Sequence, residues 1–417
     1  MQALKIEGGR RLSGELTIQG AKNSVLPILS GAVLCGGETV IHRCPQLSDV
    51  YAALRIMSAL GCKCRLEGGS AYIDARQLKG CAVSDVLMRL MRSSIVFLGA
   101  LLGRVGECEL SFPGGCELGP RPIDMHLSAL RSMGAVITER HGRLCCKCSG
   151  RLRGERIALP FPSVGATENI MLAACTAEGE TVISNAAREP EIADLAAFLN
   201  RCGAKIKGAG STAVTVSGVD SLRGCEYTVM PDRIAAATYM CAAAATGGEV
   251  FIRGASGSEL EAVMNVLEQA GCKTAESASG LYFSAPERMR AVRSIRTSPY
   301  PGFPTDAQAI VMAAMTRAKG TCVFVEDIFE NRFRHVDELV RMGADIRTEG
   351  RVAVVRGVES LSGAAVVAPD LRGGAALCAA ACAAEGETLI SNAHLIDRGY
   401  DSIETVLSAL GARVCRV

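Results

Sequence analysis

One cysteine is set apart by the residues around it. Cys116 lies in the segment SFPGGCELGPRPIDMH (111–126), between a glycine pair and a run of glycine, proline and arginine. Glycine and proline at this density predict an irregular loop, so the thiol is expected to meet solvent beside Arg121. A nearby cation favours the thiolate, the reactive form of cysteine. The sequence therefore predicts a reactive thiol at position 116.

The other cysteines have a different setting. The chain contains 19 cysteines, and many lie inside apolar segments such as MLAACTA and ALCAAACAA. An odd number in a large chain predicts small, reduced core residues rather than a disulfide framework. The groups CKC (62–64) and CCKC (145–148) resemble zinc-ligand spacing. On a strand, however, Cys-x-Cys merely places two thiols on one face, so we expect no metal site.

A repeated unit must position these residues. A glycine-centred turn followed by a short apolar strand occurs six times, about 70 residues apart, and each strand is followed by a helix that ends in a glycine. An alanine-rich segment with the composition of a buried helix precedes each turn. The sequence predicts six α/β units in two halves that divide near 227–230, with short sheets outside and helices within. The N-terminal strand QALKIEGG could pair with either half. The turn glycines are Gly37, Gly106, Gly179, Gly248, Gly320 and Gly386.

Composition excludes several classes of protein. Of the 417 residues, 45 are basic and 43 acidic without long blocks of one sign, and there is no tryptophan. This balance argues against a nucleic-acid groove built on basic stripes and stacking platforms. The longest apolar stretches, such as IVFLGALLG, are too short to span a bilayer, and no signal peptide is evident. We expect a soluble cytoplasmic protein without nucleic-acid or membrane partners; its oligomeric state is unknown from the sequence.

Polar residues recur where the buried helices should begin. Four of the six equivalent positions are basic, which suits a cleft that binds phosphates and carboxylates, because helix N-termini attract anions. An exposed polar residue at a single helix start can also be an ordinary cap, and Lys22 is expected to be such an exposed residue. Arg332 and Arg398 lie in later links between strand and helix, and neither a Walker nor a Rossmann motif is present. The six positions are Lys22, Arg92, Gly165, Arg233, Asp306 and Arg372.

Six segments together carry a resemblance to a known family. GAKNSVLP, PGGCELGPRPID, PSVGATEN, FPTDAQA, ENRFRHVDEL and IDRGYD resemble the UDP-N-acetylglucosamine 1-carboxyvinyltransferases, in order and over essentially the whole chain. The resemblance implies a two-domain inside-out α/β barrel, with domains at 22–229 and at 1–21 plus 230–417 and an active site in the cleft between them. It also implies the first committed step of peptidoglycan synthesis, with phosphoenolpyruvate and UDP-N-acetylglucosamine as substrates, no cofactor and no metal.

The resemblance also implies roles for individual residues. Asp306 would be the base, although a plain helix cap is the alternative for it, and Cys116 would be the acid or hold a covalent adduct. Cys116 would then also be the target of the epoxide fosfomycin. Lys22 and Arg398, with Arg121, would neutralise the phosphate and carboxylate of phosphoenolpyruvate. The remaining substrate-binding candidates are Asn23, Arg92, Pro122, Ile123, Asp124, Met125, Ser163, Val164, Gly165, Ile328, Arg332, Asp370 and Arg372.

Two departures and two alternatives accompany the resemblance. Ala235 stands where an acidic residue is expected, and Gly374 is an additional glycine after Arg372. A sister enzyme, 5-enolpyruvylshikimate-3-phosphate synthase, shares the repeat and the donor but has no need of a loop cysteine, so Cys116 argues against it. A catalytically silent protein that binds a nucleotide-sugar is the other alternative. The presence of Lys22, Cys116, Asp306 and Arg398 favours an active enzyme over that alternative.

Overall fold

The chain folds into two compact units, each described here by itself. The structure, a computed structural model, describes residues 3–91, 93–111 and 123–417. One unit, the C-terminal unit, consists of residues 3–19 and 231–417. The other, the N-terminal unit, consists of the described residues between 20 and 230. Each unit has its own hydrophobic core.

The helices follow the repeat. Six of them, α1, α4, α6, α8, α10 and α12, are built from small and apolar residues and are buried along most of their length, as the sequence predicted. Short 3-10 helices cover Ser94–Val96 and Ala393–Arg398. The α-helices of the described residues are α1 (Lys22–Ala32), α2 (Ser48–Ala59), α3 (Asp85–Leu90), α4 (Phe97–Val105), α5 (Asp124–Ser132), α6 (Val164–Ala174), α7 (Pro190–Arg201), α8 (Arg233–Ala245), α9 (Gly257–Gln269), α10 (Thr305–Met315), α11 (Val336–Arg341), α12 (Leu371–Ala383) and α13 (Ile403–Ala409).

The strands also repeat. In the N-terminal unit they are β3 (Glu38–His42), β4 (Lys63–Glu67), β5 (Ser70–Asp74), β6 (Ala82–Val83), β7 (Glu107–Ser111), β8 (Val136–Arg140), β9 (Arg143–Lys147), β10 (Arg156–Ala158), β11 (Glu180–Ser184), β12 (Lys205–Lys207), β13 (Ala213–Ser217) and β14 (Glu226–Thr228). In the C-terminal unit they are β1 (Leu4–Glu7), β2 (Ser13–Thr17), β15 (Glu249–Arg253), β16 (Lys273–Ser277), β17 (Gly280–Ser284), β18 (Ser294–Arg296), β19 (Thr321–Val325), β20 (Asp345–Glu349), β21 (Val352–Arg356), β22 (Ala365–Val367), β23 (Glu387–Ser391) and β24 (Arg413–Arg416).

Six separate four-stranded sheets result from these strands. In each sheet, the strand that directly follows a predicted turn glycine pairs in parallel with one short strand and antiparallel with another. The sheets are β14-β3-β5-β4, β6-β7-β9-β8 and β10-β11-β13-β12 in one unit, and β16-β17-β15-β2, β18-β19-β21-β20 and β22-β23-β1-β24 in the other. Within the described chain no sheet closes into a barrel of strands. The buried helices lie on the inside, which confirms the predicted inside-out α/β architecture.

The N-terminal strands settle a question that the sequence left open. Strand β1 pairs antiparallel with both β23 and β24, and β2 pairs in parallel with β15. Both strands therefore complete sheets of the C-terminal unit. The sixth repeat obtains its missing central strand from the opposite end of the chain.

The outer helices end at glycines for a conformational reason. The closing glycine of each repeat has a φ between 94° and 107°, in the left-handed region that residues with a Cβ rarely adopt. In this conformation the chain leaves the helix and enters the next strand. The predicted helix ends are confirmed at Gly61, Gly134, Gly203, Gly271, Gly343 and Gly411.

The described cysteines are free thiols, and most of them are buried, including Cys175, Cys241 and Cys378. This confirms the predicted role of most cysteines as small core residues. Among the described residues, no group of three or more histidine, cysteine or acidic side chains is arranged to hold a metal ion. In the same part of the chain, every helix is too short or too polar to cross a bilayer.

Candidate active site

The predicted helix-start residues lie where the sequence placed them. Lys22 and Arg233 are the first residues of α1 and α8, while Gly165, Asp306 and Arg372 are the second residues of α6, α10 and α12. The sixth position, Arg92, lies outside the described residues, as do Cys116, Arg121 and Pro122. The repeated order of elements thus places several cations at helix N-termini, where backbone N–H groups also attract anions.

Lys22 is less exposed than the sequence suggested. Its side chain is 12% exposed, and its Nζ lies 3.1 Å from Oδ2 of Asp49, a buried residue in the first turn of α2. The expectation of an exposed helix start is wrong because this buried carboxylate draws the ammonium group inward. Asp49 was missed by sequence reasoning, since an acidic residue at a helix start is ordinarily a solvated one.

A second carboxylate holds the first turn of α1. Ser24 Oγ donates a hydrogen bond to Oδ2 of Asp194 on α7, and the hydroxyl of Tyr227 on β14 donates to Oδ1 at 2.5 Å. The backbone N–H of Met230 also donates to Oδ2, at 3.2 Å. Asp194 therefore fixes the helix that carries Lys22 against α7 and β14. Its position between apolar residues of an amphipathic helix was the only available sequence signal.

The start of α6 presents its backbone in a fixed geometry. Ser163 caps this helix, because its Oγ accepts a hydrogen bond from the N–H of Ala166 at 3.3 Å. Val164 is the first helical residue and Gly165 the second. A Cβ at Gly165 would lie 3.2 Å from Cε1 of His126, so glycine at this position lets α5 approach the start of α6. Ser163 to Gly165 thus form one N-terminus suited to an anion.

The helix after the cysteine loop packs on this terminus. Ile123 precedes α5, Asp124 is its first residue and Met125 its second. Nδ1 of buried His126 accepts a hydrogen bond from Nδ2 of Asn169 at 2.8 Å. Burial lowers the pKa of His126 to about 4, so the imidazole stays neutral near pH 7. The histidine acts as a packing contact between the two helices rather than as an additional cation.

In the C-terminal unit, Asp306 is held by two arginines. Arg332 Nη2 lies 2.8 Å from its Oδ1, and Arg372 Nη2 lies 3.0 Å from its Oδ2. Both arginine side chains are 4% exposed, whereas that of Asp306 is 27% exposed. Helix α10 is capped by Pro304 without a side-chain hydrogen bond, so the alternative that Asp306 is a plain helix cap is wrong. The Asp306 carboxylate is instead oriented by two buried guanidinium groups.

Arg372 is fixed in turn by a tyrosine. Its Nη1 donates to the Tyr400 hydroxyl at 3.1 Å, and that hydroxyl lies 2.8 Å from Oγ1 of Thr238. Thr238 donates its own hydrogen to the Ile234 carbonyl, so Tyr400 donates to Thr238. Burial works to lower the pKa of Arg372, but the Asp306 carboxylate and Tyr400 raise it overall. Tyr400 thus positions the arginine that orients Asp306.

Removing the Tyr400 hydroxyl is expected to slow turnover moderately. A Tyr400→Phe change takes away a hydrogen bond to a charged group, which contributes about 1.5–3 kcal/mol, but Asp306 still holds Arg372. We expect kcat to fall by roughly tenfold, and the melting temperature to fall as well, because the buried guanidinium group of Arg372 loses one of its partners. Tyr282→Phe is the matched control, because that hydroxyl bonds to Glu249 on an exposed surface. An equal loss in both variants would remove Tyr400 from the site.

A glutamine fixes the backbone beside Arg398. Arg398 is the last residue of the 3-10 helix Ala393–Arg398. Just beyond it, Nε2 of Gln19 donates to the Gly399 carbonyl at 3.0 Å, and Oε1 of Gln19 accepts from the N–H of Asp401 at 2.8 Å. Sequence reasoning missed Gln19, because it lies far away in the chain.

Two further acidic residues organise predicted contact residues. Buried Glu326 accepts hydrogen bonds from the N–H of Ile328 at 2.9 Å and from the hydroxyl of Thr305, the first residue of α10, at 3.0 Å. Asp370 caps α12 by accepting from the N–H groups of Arg372 and Gly373, both at 2.9 Å. Glu326 thus fixes the backbone at Ile328 and the start of α10, and Asp370 fixes the start of α12. Contact of Ile328 and Asp370 with a substrate stays a prediction.

The two departures from the family pattern lie in buried helices. Ala235 is fully buried in α8, and its N–H donates to Oδ1 of Asp232 at 2.9 Å. A Cβ at Gly374 would lie 2.7 Å from Cγ1 of Ile396 and 3.0 Å from Cβ of Ala368. Glycine at 374 therefore allows α12 to pack closely on the 3-10 helix that ends at Arg398. The additional glycine has a structural reason and removes no charged group.

Comparisons with known proteins show a family match and full-length relatives. Residues 6–407 match the family described as EPSP synthase (3-phosphoshikimate 1-carboxyvinyltransferase). UDP-N-acetylglucosamine 1-carboxyvinyltransferase 2 of Caldanaerobacter subterraneus is 49% identical over 417 residues, which is 100% of both chains. UDP-N-acetylglucosamine 1-carboxyvinyltransferase 1 of Symbiobacterium thermophilum is 50% identical and covers 99% of this chain and 94% of its own.

Solved structures support the fold. The enolpyruvyl transferase NikO from Streptomyces tendae aligns with a TM-score of 0.90 and 23% identity, covering 100% of this chain and 99% of its own. An EPSP synthase from Acinetobacter baumannii aligns with a TM-score of 0.75 and 19% identity over 100% of both chains. At these identities the alignments establish the two-domain α/β fold.

Proposed function

We propose a mechanism for this chain, which belongs to the UDP-N-acetylglucosamine 1-carboxyvinyltransferase family. The chain is a transferase that moves the enolpyruvyl group of phosphoenolpyruvate to the 3-hydroxyl of UDP-N-acetylglucosamine and releases phosphate, in the first committed step of peptidoglycan synthesis. The observation that carries this function is the identity of 49% over the full length of both chains. The roles of individual residues are proposals that rest on their types and positions.

Asp306 is the proposed base for the sugar hydroxyl. Each of its oxygens accepts a hydrogen bond from a buried guanidinium group, which fixes the plane of the carboxylate. The Asp306 side chain is 27% exposed, so a hydroxyl group can approach the carboxylate from solvent. Arg332 and Arg372 then also offset the negative charge that develops when the hydroxyl oxygen attacks C2 of phosphoenolpyruvate.

Cys116 is the proposed acid. As the new C–O bond forms at C2, the methylene carbon of phosphoenolpyruvate takes up a proton, and loss of phosphate with a proton from the resulting methyl group restores the double bond. A thiol on the loop would deliver that first proton or hold phosphoenolpyruvate as a covalent adduct. Cationic neighbours favour the thiolate form, which suits the covalent adduct rather than proton delivery, and Arg121 is close in sequence.

The anionic groups of the substrates need fixed cations. Lys22 and Arg398, with Arg121, are proposed to bind the phosphate and carboxylate of phosphoenolpyruvate, since charge-assisted hydrogen bonds to anions are strong and directional. Asp49 and Gln19 support this role by positioning Lys22 and the backbone beside Arg398. The residues proposed to contact the nucleotide-sugar are Asn23, Arg92, Pro122, Ile123, Asp124, Met125, Ser163, Val164, Gly165, Ile328 and Asp370.

Domain boundaries and cellular location are also part of the proposal. We assign its domains to 22–229 and to 1–21 plus 230–417. We place the enzyme in the cytoplasm, where its charged, membrane-impermeant substrates are available. The EPSP synthase alternative has less support, because both full-length relatives near 50% identity are named for UDP-N-acetylglucosamine.

Labelling by fosfomycin tests the role of Cys116. We expect this small anionic epoxide to alkylate Cys116 before any other cysteine, because its phosphonate would bind the phosphate-binding cations beside the thiolate. Phosphoenolpyruvate should protect Cys116 by competing for those cations. A Cys116→Asp variant should resist the epoxide yet keep some turnover, because a carboxyl group can still supply a proton.

Peptide mass spectrometry after brief exposure measures this labelling. Cys108 is the internal control, because it is buried in β7 and burial raises its thiol pKa well above the ordinary value. Label spread evenly over many cysteines, with Cys116 unmodified, would contradict the assignment. Turnover of the two substrates by the wild-type protein would exclude the alternative of a catalytically silent binding protein.

A further inference from the structure

Two cysteines that catalysis does not use lie against each other in the N-terminal unit. Cys202 directly follows α7, and Cys225 directly precedes β14. Their Sγ atoms are 3.4 Å apart. A disulfide requires about 2.05 Å between the sulfurs, so the pair must close by roughly 1.4 Å. Closure to that distance requires rotation of the side chains and a small adjustment of the backbone.

The two thiols have different surroundings. Cys202 is fully buried, whereas Cys225 is half-buried and reachable from solvent. The two thiols share an S–H···S hydrogen bond. This bond, with the positive charge of Arg201 and Arg223, lowers the pKa of Cys225 against the opposing effect of its partial burial. Its hydrogen bonds with Cys225 and Cys35, with burial, raise the pKa of Cys202. Cys225 is therefore the more exposed and more acidic thiol of the pair, and it is the better placed to attack an oxidant.

We propose that Cys202 and Cys225 form a reversible disulfide when the protein meets a peroxide. In the first step the Cys225 thiolate attacks hydrogen peroxide, an S–O bond forms as the O–O bond breaks, and hydroxide leaves. In the second step the sulfur of Cys202 attacks the sulfenic acid, the S–S bond forms, and the S–O bond breaks. The proton from Cys202 leaves with the departing oxygen as water. The two sulfurs lose two electrons to the peroxide, and a dithiol reductant restores them.

The position of the pair connects it to the Lys22 helix. Helix α7 carries Asp194 and β14 carries Tyr227, and these two residues are hydrogen-bonded beside Ser24. A disulfide between Cys202 and Cys225 would fasten the end of α7 to the start of β14. Oxidation would thus covalently link the two elements that hold the first turn of α1.

A second cysteine pair provides a contrast within the same unit. Cys108 on β7 lies directly opposite Cys146 on β9. Both are buried, and burial raises the pKa of Cys108 well above its ordinary value and that of Cys146 to about 11. These thiols are neighbours, but neither is polarised toward the thiolate. Proximity alone therefore predicts oxidation of both pairs, whereas the proposal predicts oxidation of Cys202 and Cys225 only.

A peptide map of the oxidised wild-type chain tests the proposal. The full-length protein is treated with graded hydrogen peroxide, alkylated, and cleaved after lysine and arginine without reduction. This cleavage releases Cys202 in peptide 202–205 and Cys225 in peptide 224–233, each with one cysteine. We expect these two peptides to become disulfide-linked at doses that leave Cys108 and Cys146 open to alkylation. Dithiothreitol should return both peptides to the alkylated form.

Variants identify the attacking sulfur. Cys225→Ser should abolish the link and leave Cys202 unoxidised at the same dose, while Cys35→Ser should retain the link. Separate alkylation of peptides 202–205 and 224–233 at doses that oxidise other buried cysteines would overturn the proposal. A link from Cys202 to Cys35, or from Cys108 to Cys146 at the same dose, would also overturn it. The wild-type map distinguishes these outcomes even where a variant fails to fold.

Discussion

Replacing Asp306 with asparagine is expected to lower kcat by about 10²–10⁴-fold, the range that general acid–base groups contribute. The amide has nearly the same shape as the carboxylate but cannot accept the proton of the sugar hydroxyl. It also leaves Arg332 and Arg372 facing a neutral group, which weakens the orientation of both arginines. Steady-state kinetics with saturating phosphoenolpyruvate and UDP-N-acetylglucosamine measure the loss.

Two further variants show whether the loss of kcat in Asp306→Asn comes from the missing base. Asp306→Glu keeps the charge and displaces it by one methylene group, so it should fold normally and recover part of the activity. Asp327→Asn is the matched control, because Asp327 is an exposed carboxylate paired with Arg296 at 2.6 Å. Wild-type kcat in Asp306→Asn, or an equal loss in Asp327→Asn, would show that the base lies elsewhere.

Replacing Lys22 with alanine is expected to reduce turnover by roughly tenfold to more than a hundredfold. A lost hydrogen bond to a charged group corresponds to about 1.5–3 kcal/mol, which gives this range of rates. The structure adds a complication, because the same change removes the ammonium partner of buried Asp49. A buried charge that loses its partner destabilises a fold strongly, so the melting temperature of Lys22→Ala should also fall.

A double variant separates catalysis from folding. In Lys22→Ala with Asp49→Asn, the buried carboxylate is replaced by a neutral amide, so the melting temperature should recover toward that of the wild type. Turnover should stay low, because the cation for phosphoenolpyruvate is still missing. If turnover recovered along with stability, the role of Lys22 would be structural only.

Much of the fold follows from local signals in the sequence. The turn glycines, the alanine-rich segments and the closing glycines mark each repeat, because helix composition and left-handed turns depend on residues close together in the chain. The pairing of β1 with β23 and β24 could not be predicted in the same way. That pairing joins the two ends of the chain, and nothing local specifies which sheet lacks a strand.

The same distinction between local signals and long-range contacts applies to the candidate site. The residue types at Lys22, Asp306 and Arg372 were recognisable from their repeat positions. Their partners were not, because Asp49 and Tyr400 act through contacts that only the folded chain creates. The same limit led to the wrong expectation that Lys22 is exposed. Reactive and charged residues at repeated positions can be recognised in the sequence. The residues that orient them cannot, because those contacts depend on how the chain packs.

The choice of acceptor is the most direct test of the proposed function. Phosphate release from phosphoenolpyruvate is measured with either UDP-N-acetylglucosamine or shikimate 3-phosphate, and kcat/KM is compared for the two acceptors. We expect steady phosphate release with UDP-N-acetylglucosamine and none above background with shikimate 3-phosphate. Release with shikimate 3-phosphate alone would contradict the proposed function.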